Sequence, residues 1–195
     1  IFSNLELSIT DSFFESMSGI TTTGSTIITD LNSTPKAILL WRAILQWLGG
    51  IGIIVMAITL MPLMNVGGMQ LLKISSTDGS EKILPKTKEI SIRLIIIYIA
   101  LTFLCALFYK IFGMKFFDSL THSMTTIATG GFSNYNDSIG HFNNFKIEMT
   151  SMVFIILGSI PFIAYIKYLS GTKNIFITDT QIKSFIKIIF FSILI

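Results

Sequence analysis

The sequence predicts an all-α membrane protein built by repeating one unit: a spanning helix, a half-length helix that re-enters with a loop, and a second spanning helix. Three observations lead there. The 195 residues are 51% hydrophobic and only 13% charged, with a mean hydropathy of +0.73, which is too apolar for a soluble domain of this length to hide from water. Three apolar stretches are each long enough to cross about 30 Å of hydrocarbon as a helix. The chain also matches itself, without a gap, at a displacement of 107 residues (118 − 11).

Taken in order, Asp11 to Thr21 is too short to span and ends in threonine, glycine and serine, so it reads as a half-helix with a loop. Ala37 to Met64 is the first spanning stretch, and a polar, lysine-rich segment follows it. Ile90 to Phe112 is the second span, Asp118 to Ala128 a second half-helix with its loop, and Ile147 to Tyr168 the third span. A further apolar run opens at Ile182 and stops after fourteen residues, and Ile1 is not an initiator methionine, so the sequence reads as the middle of a longer chain. Asp11 and Asp118 are expected as helix N-caps, and Ser12 with Glu15 as a capping box.

The self-match lays Asp11 through Thr26 over Asp118 through Ser133 with seven of sixteen positions identical. Missing such a repeat would misread the whole fold. It divides the chain into residues 1–64, the second half of one repeat; 65–89, a cytoplasmic loop; 90–170, a complete repeat; and 171–195, a cytoplasmic loop with the start of a third. Nine of the fourteen basic residues (Lys73, Lys82, Lys86, Lys88, Arg93, Lys167, Lys173, Lys183 and Lys187) flank one side. That side is cytoplasmic by the positive-inside rule, which puts both half-helices and their loops at the outer face with Asp30, Asp137 and Glu148.

Backbone that is not helical survives inside a membrane only where it lines water or is buried in protein. A cation stripped of water needs replacement oxygens, and a run of carbonyls facing one way supplies them, as in the T-V-G-Y-G potassium filter. Thr22-Thr23-Gly24-Ser25-Thr26 and Thr129-Gly130-Gly131-Phe132-Ser133 align with that pattern, with Gly24 and Gly131 at its first glycine. The candidate ion-binding residues are Thr22, Thr23, Gly24 and Ser25 from the first loop and Thr129, Gly130, Gly131 and Phe132 from the second. Potassium itself is assigned to Thr22, Thr23, Gly24, Thr129, Gly130 and Gly131. The half-helix before each loop would aim its negative end at a partly dehydrated cation.

These loops, together with Trp41 through Val55, Val66-Gly67-Gly68-Met69-Gln70-Leu71 and Ser138-Ile139-Gly140-His141-Phe142-Asn143, resemble the Trk/Ktr/HKT superfamily of potassium transporters, and within it the TrkH branch most. The resemblance covers essentially all of the chain and the middle of the family's length. It implies a pseudo-fourfold potassium-pore fold of four span, pore helix, filter loop, span units in one polypeptide. It further implies a multi-pass protein of the inner (cytoplasmic) membrane, potassium uptake with or without a coupled cation, homodimers, and docking of a cytoplasmic nucleotide-binding regulatory subunit. Relatives that admit sodium replace the first filter glycine by serine; Gly24 keeps the glycine.

The remaining signals are weaker. No cofactor is expected beyond the transported ion, and the scattered basic residues lack the aromatic interleaving of a nucleic-acid surface. A two-span potassium channel subunit would carry one pore loop per chain rather than two. A polytopic membrane enzyme would need paired intramembrane Asp residues, a Ser with a base, or H-E-x-x-H, and no such set occurs. Gly49-Gly50-Ile51-Gly52 reads as close helix packing rather than a dinucleotide loop, since no strand precedes it. Arg42 should face protein or water, or else snorkel. His122 and His141 read as structural and Cys105 as a packed side chain, while Trp41 and Trp47 are either interface anchors or packing residues.

Overall fold

The computed structural model describes residues 7–64 and 80–193. The helices are α1 (Ile9–Ile20), α2 (Lys36–Met64), α3 (Ser80–Ile111), α4 (Phe116–Ile127), α5 (Phe145–Ser159), α6 (Phe162–Leu169), a single turn α7 (Ile175–Thr178) and α8 (Thr180–Ile193), with a short 3-10 turn at Ser138–Phe142. No strand occurs among the described residues. The Val66–Leu71 motif, Lys73 and most of the loop assigned to 65–89 lie outside them, and the last part of that segment is helical, because α3 begins at Ser80 rather than Ile90.

Helices α2 and α3 are long and apolar enough to cross a membrane, over Lys36–Met56 and Glu89–Ile111. The third span differs from expectation. Instead of one helix from Ile147 to Tyr168, α5 and α6 meet at an angle of 82°. Pro161 causes the break, since it lacks an N–H and holds Ile160 in an extended conformation with ψ 136°. The signal was present in the sequence as a lone proline inside an apolar run.

The exterior is apolar and much of the interior is polar, the reverse of a soluble fold. Phe103, Ile96 and Ile111 project outward from α3, while Glu15, Arg42, Gln46, Asp118, His122, Ser123 and Thr125 are buried. A bilayer solvates the first set, and the second must find partners within the protein. Leu94, Tyr98, Cys105, Tyr109, Met114, Ile127, Phe154 and Phe162 form the apolar core, so Cys105 is a packed side chain. Trp47 belongs to this packing, with its Nε1 donating to Thr102 at 3.0 Å and its ring 5.5 Å from that of Tyr98, whereas Trp41 faces outward.

The glycines of α2 set how closely it lies on its neighbours. A side chain at Gly49 would run into the Ile20 carbonyl at the end of α1, and one at Gly50 would meet the Tyr98 hydroxyl and Ala128. Gly52 borders open space. In α5, Gly158 bears on the Ile127 carbonyl at the end of α4 as Gly49 bears on that of Ile20. The half-helices are related by 107 residues (127 − 20) but these glycines by 109 (158 − 49), so the second repeat carries two extra residues between its half-helix and the glycine of the following helix.

Candidate functional site: two adjoining glycine-centred loops

Each half-helix is twelve residues, about 18 Å by helical rise. Their starts differ from expectation. Ser8, not Asp11, is the N-cap of α1: its Oγ accepts the Asp11 N–H at 3.1 Å and the Asp11 carboxylate accepts the Ser8 N–H at 3.2 Å. The capping box therefore lies one turn earlier than Ser12 with Glu15. The N-cap of α4 is Lys115, and Asp118, one turn in, accepts instead from Asn134 Nδ2 at 2.9 Å and the Tyr135 hydroxyl at 3.1 Å. Burial and then the Asp118 charge push the Tyr135 hydroxyl above its ordinary range.

Both helices end alike. The Thr22 N–H donates to Gly19 and the Thr23 N–H to Ser18, and in the second copy the Thr129 N–H donates to Thr126 and the Gly130 N–H to Thr125, all at 3.0 Å. This is the Schellman pattern, which needs a left-handed residue just past the helix and usually takes glycine there. Here the position is threonine, with φ of 56° at Thr22 and 53° at Thr129. A β-branched residue in that region is strained. Two residues on, Gly24 and Gly131 are left-handed again, at φ 79° and 83°. An ordinary extended strand turns successive carbonyls to opposite sides; alternating the sign of φ turns them to the same side. The sequence pointed to the glycines for this property and missed the threonines.

The loops adjoin. A side chain on Gly24 would strike the Gly130 carbonyl, and the Gln46 side chain fills the space beside Gly130 where a Cβ would go. Gln46 is wholly buried, with its Oε1 accepting the Phe132 N–H at 3.0 Å. One turn before it, Arg42 donates to Glu15 at 2.7 Å and to the Ser133 carbonyl at 3.1 Å, and its guanidinium lies 4.1 Å from the centre of the Phe132 ring. Arg42 thus faces protein and does not snorkel. Glu15 also accepts from the Thr26 hydroxyl and the Ile27 N–H, so one carboxylate ties α1, the chain leaving the Gly24 loop and α2 together.

Of the sequence candidates, Thr22 and Gly24 are half-buried, Thr23, Thr129 and Gly131 are open, and Gly130 is buried beside Gln46. Ser25 has its carbonyl taken by the Ser18 hydroxyl at 2.5 Å. Phe132 packs inward, under Arg42 and against Gly19. Behind the second loop is a cavity of about 300 Å³ bordered by His122, Thr129, Ser133, Ser151 and Ile155. His122 bonds Ser133 and Asp118 within α4 and its loop, and His141 stacks on Tyr135 at 3.6 Å between ring centres. Gln46 is not among the sequence candidates, and Glu15, expected in a capping box, is instead the partner of Arg42. Gln46 was marked by its position four residues after Arg42 in an otherwise apolar span.

The profile of the TrkH family, described as cation transport protein, matches residues 1–193. This chain belongs to the TrkH family. It is 40% identical over 190 residues to the Trk system potassium uptake protein TrkI of Halomonas elongata, covering 97% of this chain and 39% of that protein. It is 41% identical to the Trk system potassium uptake protein TrkH of Escherichia coli, over 94% of this chain and 39% of the relative. The crystal structure of the potassium transporter TrkH from Vibrio parahaemolyticus superposes with a TM-score of 0.79 at 36% identity, over 94% of this chain and 37% of that one. The chain therefore spans about two fifths of the length of these TrkH-family relatives.

Proposed function

We propose that this chain supplies two of four filter loops to a transporter that carries potassium into the cell. In this reading the carbonyls of Thr22, Thr23, Gly24, Thr129, Gly130 and Gly131 replace the water of the ion, and Ser25 and Phe132 anchor the loops behind them. The observation that carries it is the paired alternation of left-handed residues, Thr22 with Gly24 and Thr129 with Gly131, in two loops that touch at Gly24 and Gly130. The relatives named as potassium uptake proteins and the two α-helical dipole ends behind the loops support the same ion.

The same reading extends to the intact protein: pore repeats at 1–64 and 90–170 with cytoplasmic segments between and after them, an inner-membrane location, a homodimer, and a nucleotide-binding regulatory subunit on the cytoplasmic side. The test is ion flux into liposomes containing the full-length protein. Rubidium uptake well above sodium uptake, lost when Gly24 and Gly131 are both replaced by leucine, is the expected result. Undiminished uptake in that variant would sink the filter assignment.

A further inference from the structure

We propose that Gln46 is a positioning residue that sets the gap between the two filter loops and, through it, the preference for potassium over sodium. The inference rests on the pore reading above. Gln46 projects from α2, outside both loops, yet its amide is wedged between them: Oε1 holds the Phe132 N–H, the side-chain carbons and Nε2 crowd Gly130, and Nε2 lies 3.7 Å from where a Gly24 Cβ would stand. Among the described residues its Nε2 has no hydrogen-bond partner. An unpaired buried donor is costly and rare in native proteins, and one retained at such a place asks for a reason. A leucine or methionine would fill the same volume without that cost, so the reason must lie in what the amide does for the loops. Gly130 leaves room for it: any side chain there would collide with Gln46.

Discrimination between cations that differ only in radius and hydration depends on the number and placement of the carbonyls around the ion. A loop free to shift would accommodate either. Tethering the Phe132 N–H fixes the second loop immediately after Gly131, while the bulk of the amide keeps Gly130 from closing further on Gly24. Arg42, one turn away on the same face of α2, holds the carbonyl of the following residue, Ser133, so consecutive residues of the second loop hang from a single helix.

The experiment compares rubidium and sodium uptake by the full-length protein in liposomes, as wild type, Gln46→Met and Gln46→Glu. Methionine keeps the volume and removes the acceptor; glutamate keeps an acceptor oxygen at the same reach. Losing one buried hydrogen bond is expected to lower the rubidium-to-sodium ratio roughly tenfold in Gln46→Met, with sodium uptake rising. Gln46→Glu is expected to keep most of the ratio. A purely structural role would lower both fluxes together and leave the ratio alone. An unchanged ratio in Gln46→Met, or an equal loss in both variants, overturns the role of Gln46 while leaving the pore intact. A wild type with no preference for rubidium would instead remove the pore reading itself. Should Gln46→Met not reach the membrane, Gln46→Asn, whose amide falls one methylene short of Phe132, is measured against the same two outcomes.

Discussion

Glu15 and His122 stand at the same place in the two half-helices, and each holds the hydroxyl of the residue eleven positions on: Thr26 Oγ1 is 3.0 Å from Glu15 Oε1 and Ser133 Oγ is 3.1 Å from His122 Nε2. The imidazole Nδ1 donates to the Asp118 carbonyl at 2.9 Å, which leaves Nε2 to accept the Ser133 hydroxyl. One repeat thus latches its glycine-centred loop with a carboxylate and the other with an imidazole. The carboxylate brings a requirement the imidazole does not, a counter-ion, and Arg42 meets it at 2.7 Å.

Arg42→Met should therefore destabilise the full-length protein by about 3–5 kcal/mol, because it strands a buried carboxylate. Adding Glu15→Gln or Glu15→His to that variant should recover most of the loss. Thermal unfolding in detergent decides it, and a double variant no more stable than Arg42→Met would show that the pair is not coupled.

Gly49→Ala and Gly158→Ala should each disturb the end of a half-helix, since the added methyl meets the Ile20 or Ile127 carbonyl. Gly52→Ala meets nothing and should stabilise α2 by up to about 1 kcal/mol through helix propensity alone. Comparing rubidium uptake and melting temperature across the three separates packing from propensity. Equal behaviour of Gly49→Ala and Gly52→Ala would contradict the packing described.

Gly24 should not tolerate alanine. The variant would carry about 1–2 kcal/mol of strain at a left-handed position. Its methyl also collides with a backbone carbonyl, that of Gly130. Uptake by the full-length protein should be abolished in Gly24→Ala, and uptake that survives the change would show that the loops do not touch there.

Thr22→Gly and Thr129→Gly remove strain at the left-handed positions while giving up chain rigidity, so stability should hold within about 1 kcal/mol. If the threonine side chains serve the ion path, uptake should nonetheless fall. Melting temperature and rubidium uptake measured on the same preparations check both halves, and unchanged uptake would show that these positions contribute only their carbonyls.

Much of this architecture was legible in advance because it is written locally. Apolar length placed α2 and the end of α3, though not the polar first turns of α3, and the displacement of 107 residues placed both half-helices within two residues of their ends. The displacement of 107 does not extend into the following spans, because the connection after the second half-helix is two residues longer and the spacing there becomes 109. Glu15 looked like a cap because it lies three residues after a serine, a pattern that Ser8 and Asp11 satisfy one turn earlier.

The sequence by itself determined that this chain belongs in a bilayer, that it repeats, and that two glycine-centred loops follow two half-helices, since hydropathy, periodicity and backbone freedom are properties of neighbouring residues. Only the tertiary structure decided that Gln46 and Arg42 enter between those loops. In water the polar face of a helix fixes its rotation, but α2 is apolar on nearly every side, and a lipid-facing helix can turn any of those sides outward. Its rotation is settled by where Gly49 and Gly50 let it approach α1, α3 and α4 and by the few buried polar groups that must find partners, and those are contacts between residues far apart in the chain.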